Sequence, residues 1–371
     1  MTILGDIDLS SIIELLKSGH LCGWWKSPNG GPYLQEFERR FAEYNGVKHA
    51  ISVSNGSASI YVALRACGIE ENDLIAVSPY THIGSLAPIT LAGATPIFID
   101  VDEHGNIDPE DTQKCLLKNP IKAFVAAHQI GLPCELDELP HSVPIIEDCS
   151  QALGAEYKGR KVGSIGDVGC FSLGGDMTKT ISTGEGGMIV TDNDRIAEIC
   201  RNIRNHGEKN GADYSCFNFR MSDLQAAVGL VQMDSMQFQI DWQTRNAEFI
   251  ISALPDFLEF SEPPSHIKPA YYIIGTRFLC KKAGRSRNSF LEALRAKGID
   301  QGIPRKTIGT GYSELLYEIP FYKRFTKKCP VAEKLRDESV WIDWHRYPVT
   351  REEISDQLIS ALKESARGMR V

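Results

Sequence analysis

The sequence predicts an α/β fold: a large domain built on a mostly parallel central sheet over residues 1–240, then a smaller α+β domain over 241–371. Three observations carry this. Short apolar runs alternate with helical stretches from about residue 46 onward, the signature of strand–helix–strand units. The alternation stops near residue 240. The chain has 371 residues, 42% of them hydrophobic and 24% charged, an ordinary globular composition long enough for two or three domains and a sizeable core.

Element by element, the stretch SSIIELLKSG reads as a short helix with serine caps, followed by the loop CGWWKSPNGGP. LQEFERRFAEYNG then places Leu34, Phe37, Phe41 and Tyr44 at helical spacing and closes on Gly46. HAISVS reads as a strand, SASIYVALRACG as a helix, LIAVSP as a strand and IGSLAPITLAG as a helix. TPIFIDV, AFVAAH, VPIIEDC, GCFSL and GGMIVTD follow as strands. Past residue 240 come the proline-bearing SEPPSHIKPAYY, a strand YYIIGTRFL, a helix SRNSFLEALRAKG and a terminal helix EEISDQLISALKE. A long helix is expected to carry the chain between the two domains.

Charge and composition exclude several functions. Forty Lys and Arg against 48 Asp and Glu give a net charge of −8, and no basic run stands out, so nucleic acid is not an expected partner. No apolar run reaches the length of a membrane span, and the opening MTILGDIDLSS lacks the regions of a secretory signal. A cytoplasmic protein without a membrane partner is expected. The ten cysteines are scattered with no CxxC pair, so no metal site is predicted and reduced core thiols are expected.

Three segments could carry chemistry. In Ser54-Asn55-Gly56-Ser57-Ala58-Ser59, small residues between a strand and a helix leave backbone N–H groups and the helix dipole open to an anion such as phosphate. A turn with N-cap serines is an equal reading. In Ile145-Ile146-Glu147-Asp148-Cys149-Ser150-Gln151 an apolar strand ends in acids, which puts Asp148 at the carboxyl edge of the sheet, where a carboxylate could pair with a protonated ring nitrogen. An N-cap or surface acid is the commoner fate of such a residue. Lys179 lies among Gly, Ser and Thr just before an apolar strand, and a desolvated lysine can form a Schiff base with a carbonyl. Most lysines are simply solvated.

Together the segments SNGSAS, VSPYTH, IEDCSQALGAEYKGRKVGSIGDVGCFS, KTISTGEGGMIVT and FNFRMSDLQAAVGLVQ, in that order and spacing, resemble the DegT/DnrJ/EryC1/StrS aminotransferases. The resemblance runs from about Gly23 to the C-terminal helix and is densest between residues 46 and 232. It implies the pyridoxal-5′-phosphate (PLP) dependent transferase fold type I, aspartate-aminotransferase-like, and an enzyme that aminates keto-sugars. By motif position, it implies that Lys179, five residues before Gly184, is the Schiff-base lysine. Asp148 would pair with the pyridine nitrogen and Gln151 would face the phenolic oxygen. Gly56, Ser57 and Ser172 would hold the phosphate. Asn218 would reach the phosphate of a neighbouring subunit, which implies a homodimer with shared active sites.

Two departures from the family pattern stand out. The aromatic residue that usually stacks on the cofactor ring is His82 here; a structural role for His82, with Tyr80 in the stack, is an equal reading. Six residues, LGGDMT, separate Ser172 from Lys179 where four are usual, which reshapes the pocket above the cofactor. Trp24, His128 and His206 are further candidates for the substrate pocket, each with an ordinary structural alternative. The expected activity is transfer of an amino group from glutamate or glutamine to a keto-sugar, nucleotide-linked, in amino-sugar or polysaccharide biosynthesis. A cyclitol (inosose-type) aminotransferase, a PLP-dependent sugar dehydratase and a non-catalytic PLP-binding regulatory protein are the alternatives, and Lys179 argues against the dehydratase.

Overall fold

The computed structural model describes residues 9–23, 29–175, 179–207, 216–299, 307–325, 327–344 and 350–367. Two helices precede the main sheet, α1 (Ser10–Ser18) and α2 (Pro32–Asn45). Proline in the first turn and Gly46 at φ 69° after the last one set the ends of α2. Its predicted apolar face is buried at Leu34, Phe37 and Phe41, while Tyr44 is half-buried.

The alternation then unfolds as β1 (His49–Val53), α3 (Gly56–Ala66), β2 (Leu74–Val77), α4 (Ile83–Leu91), β3 (Thr95–Phe98), α5 (Pro109–Lys118), β4 (Ile121–Ala127) and β5 (Ile145–Asp148). A small hairpin, β6 (Glu156–Tyr157) and β7 (Arg160–Lys161), precedes β8 (Val168–Ser172) and β9 (Gly187–Thr191). Seven of these strands form one sheet in the order β1-β9-β8-β5-β4-β2-β3. Neighbours from β8 to β3 run parallel, and their near-continuous apolar sequences fit strands covered on both faces. β9 runs antiparallel to both β8 and β1. A parallel return needs a crossover, usually helical, and the described part of the β8–β9 connection holds no helix.

Next come α6 (Asp194–Arg204), α7 (Asp223–Met233) and α8 (Met236–Ser252). Residue 240 therefore falls inside α8. Beyond it lie β10 (Leu258–Glu259), β11 (Ile267–Lys268), β12 (Ile274–Phe278), α9 (Cys280–Ala283), α10 (Arg287–Ala296), β13 (Thr307–Thr310), α11 (Pro330–Glu338) and β14 (Ser339–Asp343). A helical segment over 351–367 follows, with a π-helical turn at Ile354–Ile359. A second, antiparallel sheet has the order β10-β12-β14-β13. Phe257, Phe278 and Phe290 pack behind it with ring centroids 5.2–5.8 Å apart.

The two halves are stitched together twice. β11 pairs with β6, and Leu315, Leu316, Tyr317, Cys329 and Ala332 join the core under the main sheet, with Tyr317 edge-on to Phe98 at 5.5 Å. On the opposite face Phe37, Phe41 and Phe171 stack edge to face at 6.1 and 5.1 Å. Each such buried ring contributes about 1.5–3 kcal/mol by leaving water. Polar groups pin α2 as well. The buried Glu38 accepts hydrogen bonds from the Ser52 N–H and hydroxyl, both at 2.8 Å, and from Arg204 at 2.5 Å. Among the described residues no helix is long and apolar enough to cross a membrane.

Candidate active site

The carboxyl ends of β4, β5 and β8 and the first turns of α3 and α4 enclose a cavity of about 630 Å³, the edge where parallel α/β sheets bind ligands. Gly56, Ser57, His82, His128, Asp148, Gln151, Ser172 and Lys179 all line it. Asn218 and His206 do not line it. Asn218 is exposed and bridges to Asn205, and the His206 ring lies 3.3 Å from the Cys216 carbonyl. Trp24 lies outside the described residues.

One wall is a cradle for an anion. Asn55 caps α3, its side-chain oxygen accepting the Ala58 N–H at 2.8 Å, so the helix opens into the cavity through Gly56 and Ser57, whose first-turn N–H groups have no partner within the helix. Glycine is required at 56: a Cβ there would stand 2.6 Å from the Ser172 Cβ and 3.1 Å from its Cα. Strand β8 and helix α3 thus approach closely, and Ser172 borders the same mouth.

The floor is Asp148, 6% exposed. One carboxylate oxygen accepts the Ser85 hydroxyl at 2.6 Å and the other accepts the Ser150 N–H at 3.0 Å. These bonds fix the carboxylate plane while leaving lone pairs for a further donor. Behind it, Glu147 is fully buried and accepts N–H groups from Gly163, Ile165 and Gly166 at 2.7–2.8 Å. Burial pushes the Glu147 carboxyl up, but the His128 hydrogen bond and these backbone donors outweigh it and hold the carboxyl below its usual range. His128 Nδ1 accepts the Cys134 N–H at 3.0 Å, so its Nε2 carries the proton toward Glu147, 3.0 Å away. His128 is accordingly a strut in the cavity's back wall, bracing the strand that presents Asp148. Cys149 also sits beside this pair, and burial keeps its thiol protonated.

Lys179 enters from the β8–β9 connection. Its Nζ donates to the Ser150 carbonyl and lies 4.7 Å from the centre of the Tyr272 ring. Gln151 is locked from both ends: its Oε1 accepts the Ile130 N–H at 2.7 Å, and its Nε2 donates to the Tyr312 hydroxyl at 3.1 Å. His82 caps α4, with Nδ1 accepting the Gly84 N–H at 3.0 Å. Its remaining ring nitrogen is the N–H of the neutral form. Burial lowers its pKa, opposed by Asp148 and aided by Lys179.

The geometry suits a ligand with three distinct ends: an anion at α3, a protonated ring nitrogen at Asp148 and a carbonyl within reach of Lys179. PLP has those three ends, and the packing of Gly56 on Ser172 sets the first turn of α3 and the Ser172 hydroxyl side by side on one wall of the cavity. Reading the sequence alone did not single out Ser85, Ser150, Tyr272 or Tyr312. Ser85 had a local signal, since it follows His82 by three positions on the first turn of α4. Tyr272 and Tyr312 had none, because their sequence distance from Lys179 is bridged only by the fold.

Known proteins resemble the chain in sequence and in fold. The model of the DegT/DnrJ/EryC1/StrS aminotransferase family matches residues 8–363. GDP-perosamine synthase of Escherichia coli O157:H7 is 31% identical over 321 residues, covering 84% of each chain. The spore coat polysaccharide biosynthesis protein SpsC of Bacillus subtilis strain 168 is 30% identical over 399 residues, 99% of this chain and 96% of that one. Among solved structures, DesI in the presence of its TDP-sugar product superposes with a TM-score of 0.85 at 26% identity, over 97% of this chain and 91% of that one.

Proposed function

Because the chain belongs to the DegT/DnrJ/EryC1/StrS aminotransferase family, whose members are PLP-dependent, we propose that it transfers an amino group from glutamate or glutamine to a nucleotide-linked keto-sugar. The observation that carries this reading is the convergence of Lys179, Asp148 and the open end of α3 on one cavity. The names of the relatives, a GDP-perosamine synthase and a structure holding a TDP-sugar product, support the substrate class. The polysaccharide role of a third supports the pathway.

In this reading Gly56, Ser57 and Ser172 would hold the phosphate of PLP, Asp148 would pair with its ring nitrogen, Gln151 would face its phenolic oxygen and Lys179 would bond to its carbonyl carbon. When bound, PLP supplies an electron-withdrawing protonated ring that makes the α-proton of an amino donor removable. The protein's residues do the rest. Asp148, oriented by Ser85 and the Ser150 N–H, keeps the ring nitrogen protonated. Lys179 Nζ would take the α-proton of the donor and later return a proton to the former carbonyl carbon of the acceptor. His82 covers the cavity beside α4, and Asn218 serves the site of a partner subunit in a cytoplasmic homodimer.

The test is spectroscopic. Purified protein incubated with PLP should show a visible absorption band that bleaches on addition of L-glutamate or L-glutamine. Borohydride reduction before bleaching should fix the label on Lys179, and Lys179→Ala should lower turnover at least about a thousandfold. A protein that takes up no PLP, or a label on another lysine, would overturn the proposal.

A further inference from the structure

Two segments distant in sequence cross at the edge of the site, and both are strained. Ile130 and Tyr271 hold φ of 49° and 47°, and Gly131 holds 92°. Left-handed backbone is unusual for any side chain and most costly for a β-branched one such as isoleucine. For the two non-glycine residues this conformation is strained and persists only where its surroundings enforce it. Here the two segments enforce each other. The Gly131 carbonyl accepts the Ala270 N–H at 2.8 Å, and the Ile130 carbonyl accepts the Ile273 N–H at 3.3 Å. The contact is backbone to backbone: a Cβ on Gly131 would lie 2.6 Å from the Tyr272 nitrogen.

This clasp sends consecutive tyrosines into different spaces. Tyr271 lines a separate cavity of about 590 Å³ between the two sheets, together with Ile130, Trp341 and Arg277. Tyr272 enters the candidate active site, its ring 4.7 Å from the Lys179 Nζ. The same clasp holds Gln151, whose Oε1 accepts the Ile130 N–H. The strained crossing therefore fixes Tyr272, Gln151 and the space in front of Lys179 as one unit.

We infer that Tyr272 is a specificity-determining residue, whose ring screens Lys179 and forms the wall against which the acceptor substrate lies. This rests on the proposed aminotransferase reading and deepens it. An aromatic face is electron-rich, so it attracts the ammonium of Lys179 and the polarised C–H edge of a saturated ring. It offers nothing comparable to the carboxylates of an open-chain amino donor. Tyr272 should thus favour a cyclic ketone over an open-chain keto acid as acceptor, without governing the reaction with glutamate.

The experiment has two arms, with Tyr272→Ala, Tyr272→Phe and the parent protein matched for thermal unfolding temperature. In the first, PLP-free protein is treated with trinitrobenzenesulfonate and modification of Lys179 is followed by peptide mass mapping. Removal of the ring should speed modification about three- to tenfold, and Tyr272→Phe should restore the parent rate. Equal rates in all three would overturn the screening role. This arm needs no cofactor, so it stands even if the aminotransferase reading fails. In the second arm, the loaded enzyme is assayed separately for bleaching by L-glutamate and for turnover of a GDP-linked ketohexose. Tyr272→Ala should lower kcat/KM for the ketohexose at least about tenfold more than it slows the glutamate half-reaction, and Tyr272→Phe should recover most of the loss. An equal fall in both half-reactions would mark Tyr272 as merely structural and overturn the proposal.

Discussion

His82 shows how one side chain can serve helix and cavity together. Its Nδ1 accepts the Gly84 N–H and so caps α4, an interaction open only to the neutral imidazole. Burial lowers its pKa from the usual 6.5, opposed by Asp148 and reinforced by Lys179. A group depressed on folding contributes stability that is complete above its unfolded pKa and is lost as pH falls through the folded value. His82→Ala should therefore cost about 1 kcal/mol at pH 8, and the gap to the parent should narrow as pH drops below 6.5. His82→Asn, which can still cap, should track the parent at pH 8. Thermal unfolding of the three proteins at pH 8 and pH 5 measures this, and a gap independent of pH would remove the cap from the account. PYTHIG offered His82 as a stacking or a structural residue; that it caps α4, and through which ring nitrogen, only the structure shows.

At the scale of elements, the anion cradle depends on how closely α3 approaches β8. Gly56→Ala places a methyl 2.6 Å from the Ser172 Cβ, and neither the helix start nor the central strand can move freely. The substitution should cost about 1–3 kcal/mol in stability and weaken PLP uptake at least about tenfold, as measured by denaturant unfolding and by titration of the visible band. Unchanged affinity would place the phosphate elsewhere. The segment SNGSAS marked this turn in advance but with serines as the caps; Asn55 caps the helix instead. The N-terminus of α2 was not readable in the same way. Its first residue follows Gly31, which has no side chain to cap with; Asp223, 189 positions away, accepts the Leu34 N–H at 2.8 Å instead.

At the scale of the molecule, the proposed homodimer makes a prediction of its own. If Asn218 serves the partner's site, Lys179→Ala and Asn218→Ala act on different chains of that site. Mixing the two inactive variants after subunit exchange should restore up to about a quarter of parent activity, since half the dimers are mixed and each has one intact site. Sedimentation should give twice the 41.2 kDa chain mass. No recovery on mixing, with exchange verified, would place Asn218 outside the neighbouring site.

What the sequence determined by itself is local: the alternating pattern that yields the main sheet, the small residues that open α3, the acid ending β5 and the lysine among small residues. Each rests on propensity and spacing within a few residues, where hydrogen bonding and sterics act directly on the chain. The tertiary structure decided the antiparallel entry of β9, the return of residues 312–335 to the core under the main sheet, the Asp223 cap on α2, and the clasp that brings Tyr272 to Lys179. Those depend on pairings between residues tens to hundreds of positions apart, and only packing the whole chain around one core selects them.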